Sequence, residues 1–180
     1  MRVIGDRISI LKKEDVLSIV ILSATDRKKV TFMLLWLIAW SVCGIIVFAN
    51  YFKLQNQDAK IFVLVYLSFW AYFEFRILRS FAWKRGGKEK LWVQNGIIHY
   101  QRQINGRGKI REYNLELVDD LKILELNPGS FSDYINQSFW IKGGERLEFT
   151  YQGKHVAFGM QITDDEARTI LKDLKGFIKK

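Results

Sequence analysis

The chain holds one cysteine, Cys43, and two histidines, His99 and His155, in 180 residues. A single cysteine excludes a disulfide within the chain and a cysteine-based zinc site. Neither histidine has a second histidine, a cysteine or a carboxylate at ligand spacing, which excludes a local metal motif. The fingerprints G-x-S-x-G, H-E-x-x-H, the phosphate-binding G-x-x-x-x-G-K-[ST] and the dinucleotide G-x-G-x-x-G are missing as well. Asn105-Gly106-Arg107-Gly108 is rich in glycine, but it joins two strands and opens no helix, so it offers no helix dipole to a phosphate. No cofactor and no small-molecule substrate is implied, and the expectation is a non-enzymatic protein.

Charge is missing over one long stretch. Residues 30–52 carry no formal charge, and a second apolar stretch begins at Ile61. Roughly 20 apolar residues cross a bilayer as a helix. The first stretch meets this length outright. It is too long, and too far from residue 1, for a cleavable signal, and Arg27-Lys28-Lys29 reads as a cytoplasmic anchor. The second is uncharged only over 61–73 and must run to about Ser80 to cross, with Arg76 and Arg79 reaching the headgroups by snorkelling. Together the two read as a transmembrane hairpin.

The formal net charge is +9, and its distribution decides between nucleic acid and membrane. Lys12, Lys13, Arg27, Lys28 and Lys29 precede the first apolar stretch, and Arg76, Arg79, Lys84, Arg85, Lys88 and Lys90 follow the core of the second. The connecting loop holds only Lys53 and Lys60. Basic residues beside spans set orientation. Both termini are therefore expected in the cytoplasm, as in a bacterial inner-membrane protein, with no nucleic-acid partner. Anionic lipid headgroups are the expected contact for Lys84, Arg85, Lys88, Arg107, Lys109 and Arg111.

Two features of the hairpin carry competing readings. Glu74, with Arg76 close by, is an intramembrane charge; such a group is either functional or a carboxylate within a turn of the headgroups, paired with a nearby Arg. Trp36 and Trp40 share one helical face, and Tyr66, Phe69, Trp70 and Phe73 form a stripe on the second helix. These faces either pack on each other or receive another membrane subunit, with Ala39, Ser41, Cys43 and Gly44 small enough to admit one.

From Leu91 onward the pattern is strand and turn. Strands are expected at 91–94, 97–104, 109–115, 121–126, 138–142, 146–152 and 154–160. Asn95-Gly96 is the strongest two-residue hairpin signal, and Asn105-Gly106 and Gln152-Gly153 mark further turns. Then Thr163 and Glu166 form a capping box, and Ala167, Ile170, Leu171, Leu174 and Ile178 recur at helical spacing. The loop 127–137 carries Phe131, Tyr134 and Ile135; apolar residues in a loop either contact a partner or fold back onto the domain. Residues 1–29 hold two short apolar stretches that fit a strand pair or a surface-lying helix equally. The expected division is an N-terminal segment 1–29, a hairpin 30–83 and a soluble domain 84–180.

Seven antiparallel strands and one capped helix resemble the pleckstrin-homology (PH) superfold. That resemblance implies an α+β membrane protein, a two-helix hairpin followed by a PH-like seven-stranded barrel or sandwich closed by the C-terminal helix. The wider layout resembles bacterial membrane-anchored PH-like proteins and the photosystem I assembly protein family. It is carried by residues 92–105 and 146–172, including Gln152-Gly153 and Asp164-Asp165-Glu166. It implies a scaffold or assembly subunit that binds other membrane proteins; the alternative is an anionic-lipid recognition module.

Overall fold

The structure, a computed structural model, describes residues 2–23, 26–124 and 144–178. The open question at the N-terminus resolves to strands: β1 (Arg2–Ile4), β2 (Ile8–Lys12) and β3 (Val16–Leu22). Their alternation buries Ile8, Ile10, Leu17, Ile19 and Ile21 on one face, as a half-buried sheet requires. β3 does not stop at its own hairpin. It pairs antiparallel with β4 (Gly87–Gln94) from Val16↔Gln94 to Leu22↔Lys88. β5 (Ile97–Ile104) and β6 (Ile110–Asn114) continue the meander, so one six-stranded sheet runs in the order β1 to β6.

The helical segment is thus an insertion, placed where a β3–β4 turn would otherwise be. The compact units are residues 1–24 with 86–180, and residues 25–85. This differs from the expected three-part division at 1–29, 30–83 and 84–180. The N-terminal strands bury their apolar face and complete their ladder only by joining the later strands.

Local chemistry sets the sheet's turns. Asn95 and Gly96 both take positive φ, 50° and 73°, as do Asn105 and Gly106, 51° and 81°, and Gln152 and Gly153, 49° and 75°. Two consecutive positive φ values are the hairpin turn whose twist matches its strands. β5 and β9 keep their expected bounds. β4 starts four residues earlier than expected, because Lys88 and Lys90 face away from the core while Gly87 and Glu89 face it.

β7 (Val118–Ile123), β8 (Glu145–Tyr151) and β9 (Lys154–Met160) form a second antiparallel sheet, and α3 (Asp164–Ile178) follows. Thr163 caps α3: its hydroxyl accepts from Glu166 N–H at 3.3 Å, and Glu166 accepts from Thr163 N–H at 2.8 Å. Ile98, Tyr100 and Tyr113 of the first sheet, Leu147, Phe149 and Phe158 of the second, and Ala167, Ile170 and Leu174 of α3 share one core. The two sheets, of six and three strands, do not close into a barrel. Six strands come from residues 84–180 among those described, not seven, and the strand expected at 138–142 lies outside the described residues.

The second unit is a pair of helices, α1 (Arg27–Tyr51) and α2 (Gln57–Gly86), each long and apolar enough to cross a membrane. Large apolar side chains are exposed along both, among them Phe32, Leu35, Ile45, Phe62, Phe69 and Phe75. A helix that is apolar all round does not fit a water-facing surface. α2 runs past Ser80 to Gly86, and β4 begins at the next residue.

If the insertion replaces a turn, residues 24–85 are dispensable for the β-domain. Joining Ser23 to Gly86 through an Asn-Gly pair is expected to give a soluble, folded domain with dispersed amide resonances. Residues 84–180 alone are expected not to fold, since they expose the core that β2 and β3 cover.

Candidate functional site

Three places gather polar or charged side chains with defined geometry. The first lies between the two sheets. Glu89 on β4 and Arg102 on β5 are direct cross-strand neighbours, and both face inward. Glu89 is 2% exposed, a position that costs several kcal/mol unless the charge is matched. Arg102 Nε donates to Glu89 Oε1 at 2.9 Å, and the Tyr100 hydroxyl donates to the same oxygen at 2.6 Å. Glu89 Oε2 accepts from the backbone N–H of Met160 on β9 at 2.8 Å. Arg102 also donates to the Tyr100 hydroxyl, and its Nη2 reaches Glu145 Oε1 on β8 at 2.9 Å and the Ala157 carbonyl at 3.1 Å. The guanidinium lies over the Tyr100 ring, 5.5 Å from its centroid.

This arrangement ties β4 and β5 to β8 and β9. Burial, then the neighbouring Glu89 carboxylate, push the Tyr100 hydroxyl well above the ordinary tyrosine range. The Arg102 guanidinium is held above its ordinary value: burial opposes its charge, but Tyr100, Glu89 and Glu145 together outweigh that. Chemically the cluster is a clamp between sheets, with Glu89 spending both oxygens inside the fold. Sequence reasoning missed it, although a signal exists. Extending the inward alternation of Leu91 and Val93 back two residues reaches Glu89, and extending Ile98 and Tyr100 forward reaches Arg102.

The second place is the seam between α1 and α2. Met33, Leu37 and Gly44 are buried, and half-buried Val63, Leu67, Trp70, Glu74 and Ile77 recur at three- and four-residue spacing on α2. Tyr66, Phe69 and Phe73 of the expected stripe are exposed; only Trp70 joins the seam. Its indole donates to the Trp40 carbonyl at 3.2 Å. A Cβ at Gly44 would sit 2.0 Å from the Trp70 ring, so glycine there serves a contact within the pair. Trp36 and Trp40 stack on each other, centroids 5.2 Å apart.

Glu74 has a hydroxyl partner in place of the arginine considered above. The Ser41 hydroxyl donates to its Oε1 at 2.7 Å, and no ion pair joins it among the described residues. Ser41 stands midway along the uncharged run 30–52. Because α2 extends to Gly86, Glu74 lies twelve residues (86 − 74), about 18 Å, from the helix end. Arg76 turns outward, 5.9 Å from the Tyr72 ring centroid.

The third place is the basic set. Arg107 and Lys109 are exposed at the β5–β6 turn, Arg111 is exposed on β6, Lys88 is half-buried on β4 and Arg85 is exposed near the end of α2. Lys84 is buried, 4% exposed, and is set apart from the other five. Phe131, Tyr134 and Ile135 lie outside the described residues. His99 stacks on Trp92, centroids 4.9 Å apart, with Glu112 at 3.5 Å; Trp92 is therefore a strand residue of the β-domain. Comparison with protein-family models, with curated proteins and with solved structures finds no match to this chain.

Substitution and pH both test the clamp. Arg102→Met leaves Glu89 as an unmatched buried charge and is expected to cost about 3–5 kcal/mol, read by thermal unfolding of the detergent-solubilised protein. Glu89→Met with Arg102→Met is expected to cost less than the single change. The raised Tyr100 pKa gives stability that is fully present below the unfolded tyrosine value, about 10, and is lost as pH rises above it. Stability is expected to fall through that alkaline window, and Tyr100→Phe to flatten part of the fall.

Proposed function

We propose that the protein is a non-enzymatic, membrane-anchored scaffold or assembly subunit. In this reading α1 and α2 cross a membrane, a bacterial inner membrane by the character of the chain, and both termini lie in the cytoplasm. The helices and the β-domain each offer surface to protein partners. One observation carries the reading: the helical pair is spliced into a single β-sheet. Ser23 N–H donates to the Gly87 carbonyl at 3.0 Å, so the chain leaves and re-enters the sheet at adjacent strands. The domain is therefore held to its anchor by two short connections, residues 23–26 and the Gly86–Gly87 bond, in place of one free linker.

The same observation bears on topology. If the helices span, strands paired from Val16↔Gln94 to Leu22↔Lys88 support both ends of the insertion lying on one side of the membrane. The basic residues Arg27, Lys28, Lys29 and Arg85 at those ends, against Lys53 and Lys60 at the loop, support the cytoplasm as that side. The apolar surface left by the α1–α2 seam supports packing against other spans. Glu89, the most buried ionisable group among the described residues of the β-domain, is engaged as a clamp, which supports a structural role over a catalytic one. The three-stranded sheet followed by a capped helix supports kinship with membrane-anchored PH-like proteins.

The test has two parts. Reporters fused to the N- and C-termini are expected to read as cytoplasmic, both of them; opposite sides would contradict the paired strands. Gentle extraction from the native membrane through a C-terminal tag is expected to bring down a membrane-protein partner at fixed stoichiometry. A protein recovered alone, with lipid only, would contradict the scaffold reading.

A further inference from the structure

The register of the six-stranded sheet collects an asymmetric set of charges. At the end where the sheet joins the helices, β3 finishes at Leu22 and β4 begins at Gly87, which pairs with Ile104. Asn105 N–H donates to the Gly86 carbonyl at 3.3 Å, so the β5–β6 turn lies against the residue that closes α2. The β1–β2 turn lies at this end too, since Leu22 N–H donates to the Arg7 carbonyl at 2.8 Å. Apart from Arg102, held by Glu89 and Glu145, the cations here among the described residues are Arg7, Lys88, Arg107 and Lys109, against one exposed acid, Asp6. Arg7 is occupied by Glu166 at 3.2 Å. Lys88, Arg107 and Lys109 make no ion pair among the described residues.

The far end of the sheet is different. Its turns hold Lys13 beside Glu14 and Asp15, and Glu116 follows β6. Among the described residues Lys12 and Lys13 make no ion pair at that end either, but Glu14 and Asp15 adjoin them, so the excess of positive charge lies at the helix-joined end. The tether there is short: four residues, 23–26, reach at most about 14 Å, and none intervene between α2 and β4. A headgroup layer lying at the ends of the helices falls within that reach, where unscreened attraction extends about 8–10 Å.

We propose that Lys88, Arg107 and Lys109 form a docking surface for an anionic phospholipid leaflet. The inference rests on the reading that α1 and α2 span a membrane. Lys84, being buried, takes no part, and Arg111, placed opposite Tyr100 further along β6, is outside the set. The surface fits a layer of headgroups better than a single one: the turn is a tight Asn105-Gly106 hairpin with exposed cations and, among the described residues, no enclosing loop. Gly108 lets the returning strand pass close to β5, since a Cβ there would lie 2.0 Å from the Arg102 carbonyl. The Gln101 side chain donates to the Gly108 carbonyl at 2.7 Å and holds that backbone in place.

The test uses the full chain in nanodiscs of phosphatidylcholine alone and of phosphatidylcholine with phosphatidylglycerol, read by hydrogen exchange. Amides of residues 104–111 are expected to exchange more slowly in the anionic discs, by about five-fold for each cation that engages. The difference is expected to vanish at high salt and in the K88Q/R107Q/K109Q variant, with exchange at 145–178 unchanged as a check on folding. Equal exchange at 104–111 in both lipids, with α1 and α2 protected in both, would overturn the docking surface alone. Unprotected α1 and α2 would overturn the membrane reading, and the docking surface with it.

Discussion

The pairing of β3 with β4 is the constraint on which the rest depends. These strands lie 64 residues apart in sequence at the point where they meet (87 − 23), yet they share a seven-residue register and a hydrogen bond at its end. Closing so long a loop costs conformational entropy that grows only slowly with length. An insertion that is itself a packed helical pair reduces the number of ways the ends can separate. Once β3 and β4 are paired, the N-terminal hairpin, the long meander and the shared core of two sheets and α3 follow. So does the connection of both helices to neighbouring central strands of one sheet.

The polar interactions divide by what they hold. Glu89, Arg102, Tyr100 and Glu145 fasten the first sheet to the second near its helix-joined end, where a hydrophobic contact alone would leave the paired strands free to slide. Buried ionic groups of this kind add little net stability but are costly to break singly, so they favour one arrangement of the sheets over its alternatives. Arg7 does a similar task for the N-terminal hairpin, reaching Glu166 of the capping box at 3.2 Å and the Gln161 carbonyl. The start of α3 is thus tied to β1 and β2 by residues more than 150 positions apart. In the helical pair the corresponding tie is short-range: Ser41 to Glu74, and Trp70 lying on Gly44.

Much of this was legible from residue order. Local chemistry speaks for itself in sequence: three positive-φ turns containing glycine, the Thr163–Glu166 capping box and two long apolar helices all stand where their composition puts them. What stayed hidden was every feature decided by distant pairing. The conformation of residues 1–29 was open because their partner strand lies beyond the helices. Glu89 gave no sign of burial because Lys88 and Lys90 flank it; its cross-strand neighbour Arg102 makes an inward carboxylate tolerable. The length of α2 was underestimated because its charged C-terminal half reads as interface. The contact face of α2 was misjudged for a related reason: aromatic side chains marked the exposed surface, while smaller Val63 and Leu67 pack the seam. The loop holding Phe131, Tyr134 and Ile135 lies outside the described residues.

The measurement that reaches the central claim most directly is a cross-strand disulfide. Val20 and Lys90 face each other across β3 and β4 on the outer side of the sheet. The Ser23–Gly87 hydrogen bond places them in the close, non-hydrogen-bonded class of pairs, with Cα atoms about 4.5 Å apart, a spacing a disulfide accepts. In a Cys43→Ser background, Val20→Cys with Lys90→Cys is expected to oxidise to near completion within one chain in native membranes. Val20→Cys with Gln94→Cys, off register by four residues, is expected to remain reduced. Equal cross-linking of the two pairs, or none of either, would contradict a sheet that runs unbroken across the helical insertion.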